Sequence, residues 1–367
     1  MFKSVLRSFT LSRALIVLFA ALGYFLIPSV HEGVSVPLLE PAPWFVSIWY
    51  QWDANWYMSI AAGGYEWVPG DQSNVAFFPL YPLAVRLFGM ALGGHYLLAG
   101  LLLSSACLAG GLFFLHRLVR EDFGEEIARR SVLLLAIFPT SVFFTSLYTE
   151  SLFLMTSLAA FYYARMERWG RVGIWGLLAS LTRITGLWLL LPLAWEFLSQ
   201  KKFSVRKLSP AALWLILLPG GIAMYMIYLY FGFGRPLAFA ETQVAGWGHG
   251  FSTIWGSLSR DLELLFQQSE LWVVYELAAA LMLVVCLLLS LRKLRGSYNV
   301  YMLVSLLAPF LGGTSKSMSR YLLVVFPIFI VMALLTKRLL VRYSVYALSV
   351  ALLALSTVAF VTGRWVA

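Results

Sequence analysis

Four side chains in this sequence have the types that proton transfer and anion binding need: the carboxylates Asp53 and Glu150 and the guanidinium groups of Arg183 and Arg320. Asp53 stands in Trp52-Asp53-Ala54-Asn55-Trp56-Tyr57, an acid among rings. Apolar walls desolvate a carboxylate and raise its basicity toward that of a general base. The competing structural explanation is a helix N-cap worth about 1 kcal/mol. Residues 54–62 contain few breakers and put Ala54, Tyr57, Met58 and Ala61 on one face, so a short helix along a membrane surface is expected there. Glu150 lies in Leu147-Tyr148-Thr149-Glu150-Ser151, shortly after Phe138-Pro139-Thr140-Ser141. An acid at a hydrocarbon boundary is costly and points to function, although an N-cap at Thr149 with Glu150 against the helix dipole explains it equally well.

The two arginines sit in Thr182-Arg183-Ile184-Thr185-Gly186 and Ser317-Met318-Ser319-Arg320-Tyr321. The planar fork of an arginine matches a phosphate group. Snorkelling to an interface is the plainer alternative, and it fits Lys316 better than the others. Gln243, Trp247 and His249 have the hydrogen-bonding and stacking groups that a sugar needs, but a polar loop shows such residues by chance as well.

The elements that must hold these groups are set by composition. Of the 367 residues, 61% are hydrophobic and 12% charged, and the mean hydropathy is +0.82. Soluble domains carry about 25% charged residues, so this is an integral membrane protein. Apolar runs place spans near 14–28, 96–116, 131–147, 149–165, 211–231, 271–291, 298–312, 321–336 and 343–362. The run from Gly173 to Leu198 is basic at both ends and broken at Arg183, which predicts a pair of short helices turning back near that residue. The fold expected is an all-α polytopic bundle of about ten or eleven membrane segments, a single domain over 1–367 with outer loops near 29–95 and 232–270. The first of those loops runs through Ala76-Phe77-Phe78-Pro79-Leu80-Tyr81-Pro82, whose amphipathic rings favour the level of lipid headgroups.

The net charge of +10 does not indicate nucleic acid, because the basic residues are scattered among apolar runs. They report topology instead. With the broken pair placed as above, 20 lie inside, 6 outside and Arg183 at the turn, which puts the N-terminus in the cytoplasm. Arg320 and Lys316 lie outside against that bias, as a site for an anionic partner would require. The first apolar run follows Lys3, Arg7 and Arg13 but no small-residue cleavage site follows it, so it reads as a retained helix. Cys107 and Cys286 lie far apart in apolar runs and read as core residues, and four scattered histidines make no zinc site. No ligand spacing requires a metal, while a divalent ion between Asp53 and Glu150 stays open as an alternative. A transporter or lipid flippase is the main rival from another class, yet the polar residues gather in outer loops and not along a midplane path.

At these residues the chain resembles the bacterial relatives of the PIG-V family, the mannosyltransferases best known for GPI-anchor assembly, within the GT-C group of polytopic glycosyltransferases. The likeness runs in order through Trp52-Asp53, Ile60-Ala61-x-x-Gly64-Tyr65, Phe77 to Pro82, Phe138-Pro139, Tyr148 to Ser151, Thr182-Arg183-x-x-Gly186, Phe239 to Gln243 and Ser319-Arg320-Tyr321. The eukaryotic members commonly carry Arg before the Trp-Asp pair and His after it, where this chain has Gln51 and Trp56. The resemblance implies an inverting transfer of a hexose, usually mannose, from a polyprenyl-phosphate sugar to an acceptor hydroxyl at the outer face of the cell membrane. The acceptor would be a glycolipid, polymer or protein. Asp53 matches the family's first-loop acid, the general base of GT-C enzymes, and Glu150 positions the acceptor or orients Asp53. Arg320 and Arg183 would hold the donor phosphate, and Trp52, Trp56, Tyr57, Tyr148, Gln243 and Trp247 the sugar or acceptor.

Overall fold

The structure, a computed structural model, describes residues 2–30, 43–204, 206, 209–270 and 272–366. Residues 31–42 of the expected first outer loop, and the basic residue Lys207, lie outside the described residues. Among the described residues the regular structure is helical throughout. In chain order the helices are α1 (Phe2–Leu26), α2 (Trp44–Ser47), α3 (Ala54–Ala62), α4 (Leu80–Ala91), α5 (Tyr96–Phe123), α6 (Glu125–Ala136) and α7 (Glu150–Arg165). They continue with α8 (Trp169–Thr182), α9 (Leu190–Gln200), α10 (Leu217–Phe233), α11 (Ala238–Trp247) and α12 (Ile254–Gln268). The last five are α13 (Trp272–Ser290), α14 (Gly296–Leu311), α15 (Met318–Tyr321), α16 (Pro327–Leu335) and α17 (Leu339–Val361).

Among the described residues five helical segments, α1, α5, Pro210–Phe233, α13 and α17, are long and apolar enough to cross a membrane. Other apolar runs are shorter or broken, for reasons visible in their sequences. The run near 131–147 ends its helix at Ala136 and passes through a 3-10 turn at Ser141–Phe144, because Pro139 offers no N–H and disfavours helical geometry at the residue before it. The run near 321–336 is bent by 85° between Val324 and Pro327, again at a proline. The helix expected over 54–62 is α3, with those bounds.

The chain divides into two compact units. The first comprises Met1–Tyr65, Leu80–Met155 and Met332–Val366. In it α1 lies against α17 at Gly23, where an added Cβ would come within 3.2 Å of the Val358 backbone. Gly100 of α5 admits Leu147, whose side chain stands where a Cβ would be. Arg13, a cation on an apolar helix, reaches the chain that follows α6: its guanidinium donates to Ala136 O and Ser141 O at 3.3 Å and to Thr145 Oγ1 at 2.6 Å. It thereby satisfies a carbonyl left open where the helix stops.

The second unit comprises Glu66–Pro79 and Thr156–Val331. Here α8 ends at Thr182, Arg183 is extended with φ −153° and ψ 150°, and the chain resumes as a 3-10 helix, Ile184–Leu189, before α9. The break therefore falls on Arg183, as the interrupted apolar run predicts. Glycines bring neighbouring segments close: a Cβ on Gly173 would lie 2.4 Å from Trp214 O, and one on Gly221 2.9 Å from Leu177 O. The segment 66–79 is fastened by Tyr225 Oη, which donates to Val75 O at 2.7 Å, and by Phe78 against the rings of Tyr225 and Phe239.

Candidate functional site

In the first unit Asp53 stands at the N-cap position of α3 with helical φ and ψ, −61° and −20°, and its side chain makes no capping hydrogen bond to the helix. The capping explanation for this acid therefore does not hold. The backbone around it is fixed from outside. Tyr148 Oη donates to Gln51 O at 3.1 Å and accepts from the Asp53 N–H at 3.2 Å, so one phenol bridges the two residues that flank Trp52. Trp52 itself has φ +46°, a conformation that is uncommon outside glycine. Its ring is held edge-on by Phe360 at 5.1 Å and Trp365 at 5.4 Å. A strained residue persists where its surroundings over-determine it, and such positions gather at functional sites.

Glu150 opens α7 and is 1% exposed. Two residues before it, the Tyr148 ring packs on Tyr57 at 6.3 Å and on Phe143 at 5.0 Å. Tyr57 Oη lies 3.4 Å from Thr149 Oγ1. Tyr81, whose hydroxyl is 2.8 Å from Ser104 Oγ, sits edge-on to Tyr57, and burial raises its phenol well above the ordinary range, with the Glu150 charge among the lesser causes. Asp53, Trp52, Tyr57, Tyr148 and Glu150 thus belong to one packed group, with Asp53 and Trp56 half-buried on its edge. Tyr81, from the ring-rich stretch Phe77 to Pro82, belongs to it as well, and so does Ser104, which nothing in its sequence setting marks out.

In the second unit the two candidate arginines share one ring. The Arg183 guanidinium carbon is 5.2 Å from the centroid of Tyr321 and that of Arg320 is 5.7 Å from it. Two guanidinium groups thus lie against one tyrosine, in a place where only 7% of Arg320 is exposed. The loop that carries Arg320 is anchored by Glu276 of α13, which accepts from the N–H groups of Ser317 at 3.1 Å and Ser319 at 2.7 Å. Glu276 is not among the residues singled out above, yet it is the one acid in the otherwise apolar run 271–291. Lys316 is exposed with its ammonium 5.9 Å from the Trp272 ring centroid, consistent with an interfacial cation.

Gln243 and Trp247 lie on α11 in a separate cluster of the same unit. Gln243 Oε1 is 3.3 Å from His249 Nδ1, the His249 N–H donates to Gln243 O at 2.9 Å, and the Trp247 ring meets Phe77 at 5.8 Å. Among the described residues no three His, Cys, Asp or Glu side chains are grouped so as to hold a metal ion.

Comparison with known proteins adds family and fold. The family model described as mannosyltransferase (PIG-V) matches residues 3–211. A curated GPI mannosyltransferase 2 from Drosophila pseudoobscura pseudoobscura is 26% identical over 183 residues, 43% of this chain and 40% of that protein, so the chain matches well under two thirds of its relative's length. ArnT from Cupriavidus metallidurans, crystallised with undecaprenyl phosphate, superposes with a TM-score of 0.51 at 15% identity over 95% of this chain and 76% of that one. The Archaeoglobus fulgidus oligosaccharyltransferase in its apo form gives a TM-score of 0.46 at 14% identity, covering 99% of this chain and 56% of that one. The fold is that of the GT-C glycosyltransferases, and, with the family model extending over more than half of its length, the chain belongs to the PIG-V mannosyltransferase family.

Proposed function

We propose that the protein is an inverting mannosyltransferase that takes its sugar from a polyprenyl-phosphate carrier and gives it to an acceptor hydroxyl at the outer face of the cell membrane. The whole chain works as one catalytic domain, with its N-terminus in the cytoplasm. Asp53 is the base. It takes the proton from the acceptor alcohol as the alcohol oxygen bonds to the anomeric carbon, from the side opposite the phosphate, and the bond from that carbon to the phosphate oxygen breaks. The leaving group departs as a lipid monophosphate that is already an anion, so the protein must supply cations and needs no acid to protonate it. Arg320 and Arg183 are those cations. Glu150 positions the acceptor or orients Asp53. The rings of Trp52, Trp56, Tyr57 and Tyr148, with Gln243 and Trp247, receive the sugar and the acceptor.

The observation that carries this reading is the state of Asp53: half-buried, at a helix start that it does not cap, on a backbone fixed by Tyr148. Inversion by one positioned carboxylate parallels the base that inverting glycoside hydrolases use on water. The test is direct. Purified protein is supplied with a series of radiolabelled polyprenyl-phosphate sugars and membrane extracts as acceptors, and the products are analysed for the sugar and its anomeric configuration. Transfer from polyprenyl-phosphate mannose with inversion is expected. Transfer from a nucleotide sugar alone, or retention at the anomeric carbon, overturns the proposal.

A further inference from the structure

A carboxylate on an apolar membrane helix is expensive, and Glu276 of α13 is 1% exposed. Its cost is offset in a specific way. Oε1 accepts from the Ser317 N–H at 3.1 Å and Oε2 from the Ser319 N–H at 2.7 Å, so both oxygens are used by one short stretch of chain. That stretch can turn two N–H groups toward one point because Ser317 has φ +68°, in the left-handed region. Backbone N–H groups flanking such a residue form a concave nest for an anion, and here the anion is internal. The residue that follows is Arg320, whose Nη2 donates to Ser317 Oγ at 3.4 Å and whose charge acts on Glu276. Glu276 therefore grips the two residues from which the Arg320 side chain takes its direction.

We propose that Glu276 is a positioning residue for the donor phosphate: by clamping the Ser317–Ser319 backbone it aims the Arg320 guanidinium, already stacked on Tyr321, at the phosphate of the polyprenyl carrier. The inference rests on the reading of Arg320 given above and adds the device that holds it. A carboxylate that served only to stabilise the fold would be indifferent to the ligand. One that acts through Arg320 must be coupled to it in phosphate affinity.

The experiment measures binding of undecaprenyl monophosphate to the full-length protein in detergent, by ligand-induced shift of the melting temperature over a concentration series. Glu276→Gln removes the charge and turns one N–H toward a donor. It should weaken binding about tenfold, the loss expected when a hydrogen-bonded charge that fixes a cation is removed. Arg320→Ala should weaken it at least as much, and the double variant no further than Arg320→Ala alone. Glu196→Gln is the control: this other buried carboxylate of the same unit bonds Arg295, Ser297 and Gln200, and its loss should lower the melting temperature and leave phosphate affinity unchanged. If Glu276→Gln does not fold, Glu276→Asp, which keeps both oxygens on a shorter arm, is compared with wild type and should show a smaller loss that again vanishes in the Arg320→Ala background. Wild-type affinity in the Glu276 variants, or losses that add to that of Arg320→Ala, overturns the positioning role while leaving Arg320 as the phosphate ligand. No saturable binding by wild type, or unchanged binding by Arg320→Ala, instead removes the reading of Arg320 and this inference with it.

Discussion

Asp53 and Tyr148 divide the work of the proposed base between chemistry and placement, and their variants should differ accordingly. Asp53→Asn keeps the shape of the side chain and removes its proton affinity. Base catalysis by a positioned group contributes about a hundredfold to ten-thousandfold, so initial transfer rates should drop by that range while donor binding, measured by melting shift, stays as in wild type. Near wild-type turnover would end the assignment. Tyr148→Phe keeps the ring contacts with Tyr57, Phe143 and Phe360 and deletes the hydroxyl that joins Gln51 O to the Asp53 N–H. A neutral hydrogen bond is worth about 1 kcal/mol net, so kcat should fall by about five- to tenfold with KM for the donor little changed. A Tyr148→Phe enzyme with an altered donor KM and an intact kcat would place the phenol with the donor and not with the base.

The helices are where the residues acquire their neighbours, and here the sequence was legible to different depths. The break at Arg183 could be read because Thr182, Arg183 and Thr185 interrupt an apolar run between two basic ends, and hydropathy sees such interruptions directly. The reason Gly186 follows it could not, since it depends on a contact: a Cβ there would stand 2.4 Å from the backbone of Ala179 and Ser180. Backbone cannot swing aside as a side-chain tip does, so Gly186→Ala should force the 3-10 segment off α8, at a cost of about 1–3 kcal/mol, and weaken donor binding by displacing Arg183; a melting curve and the phosphate-binding assay together check this. Glu276 shows the same limit, because its partners lie 41 and 43 residues away and carry no periodic signal. The helix α12 departs from ordinary amphipathic logic altogether. Ser257 and Asp261 are buried while Trp255 and Phe266 are exposed, an inside-out pattern that suits a helix whose outer face meets lipid. Burial raises the Asp261 carboxyl above its ordinary 3.8. The folded chain then holds that proton more tightly than the unfolded chain, so the stability present below the unfolded value is lost as pH rises through the folded one. Asp261→Asn, neutral at every pH, should melt higher than wild type at pH 7, with the difference closing below about pH 4.

At the scale of the whole molecule the question is which side of the membrane each loop occupies, and charge is the only part of the sequence that speaks to it. Spans report where the chain is apolar but are symmetric with respect to the two faces, whereas the excess of Lys and Arg on one set of loops is not. The proposed orientation places the segment after α5 in the cytoplasm and the loop between α12 and α13 outside. Cysteine labelling tests this cleanly, because the two native thiols, Cys107 and Cys286, are both buried and leave little background. Ser269, exposed at the end of α12 in a left-handed conformation, and Glu121, exposed in the last turn of α5, are suitable single positions. On intact cells a membrane-impermeant maleimide should label Ser269→Cys, and it should reach Glu121→Cys only after the membrane is opened. The reverse pattern would place the loop between α12 and α13 in the cytoplasm. The surface that carries Lys316 would then face the wrong compartment for a carrier presented at the outer leaflet, and the donor would have to be drawn from the inner one. Labelling of both positions from outside would mean that an even number of spans separates them, whereas the proposed topology puts three between them, near 131–147, 149–165 and 211–231, with the turned-back pair crossing no further.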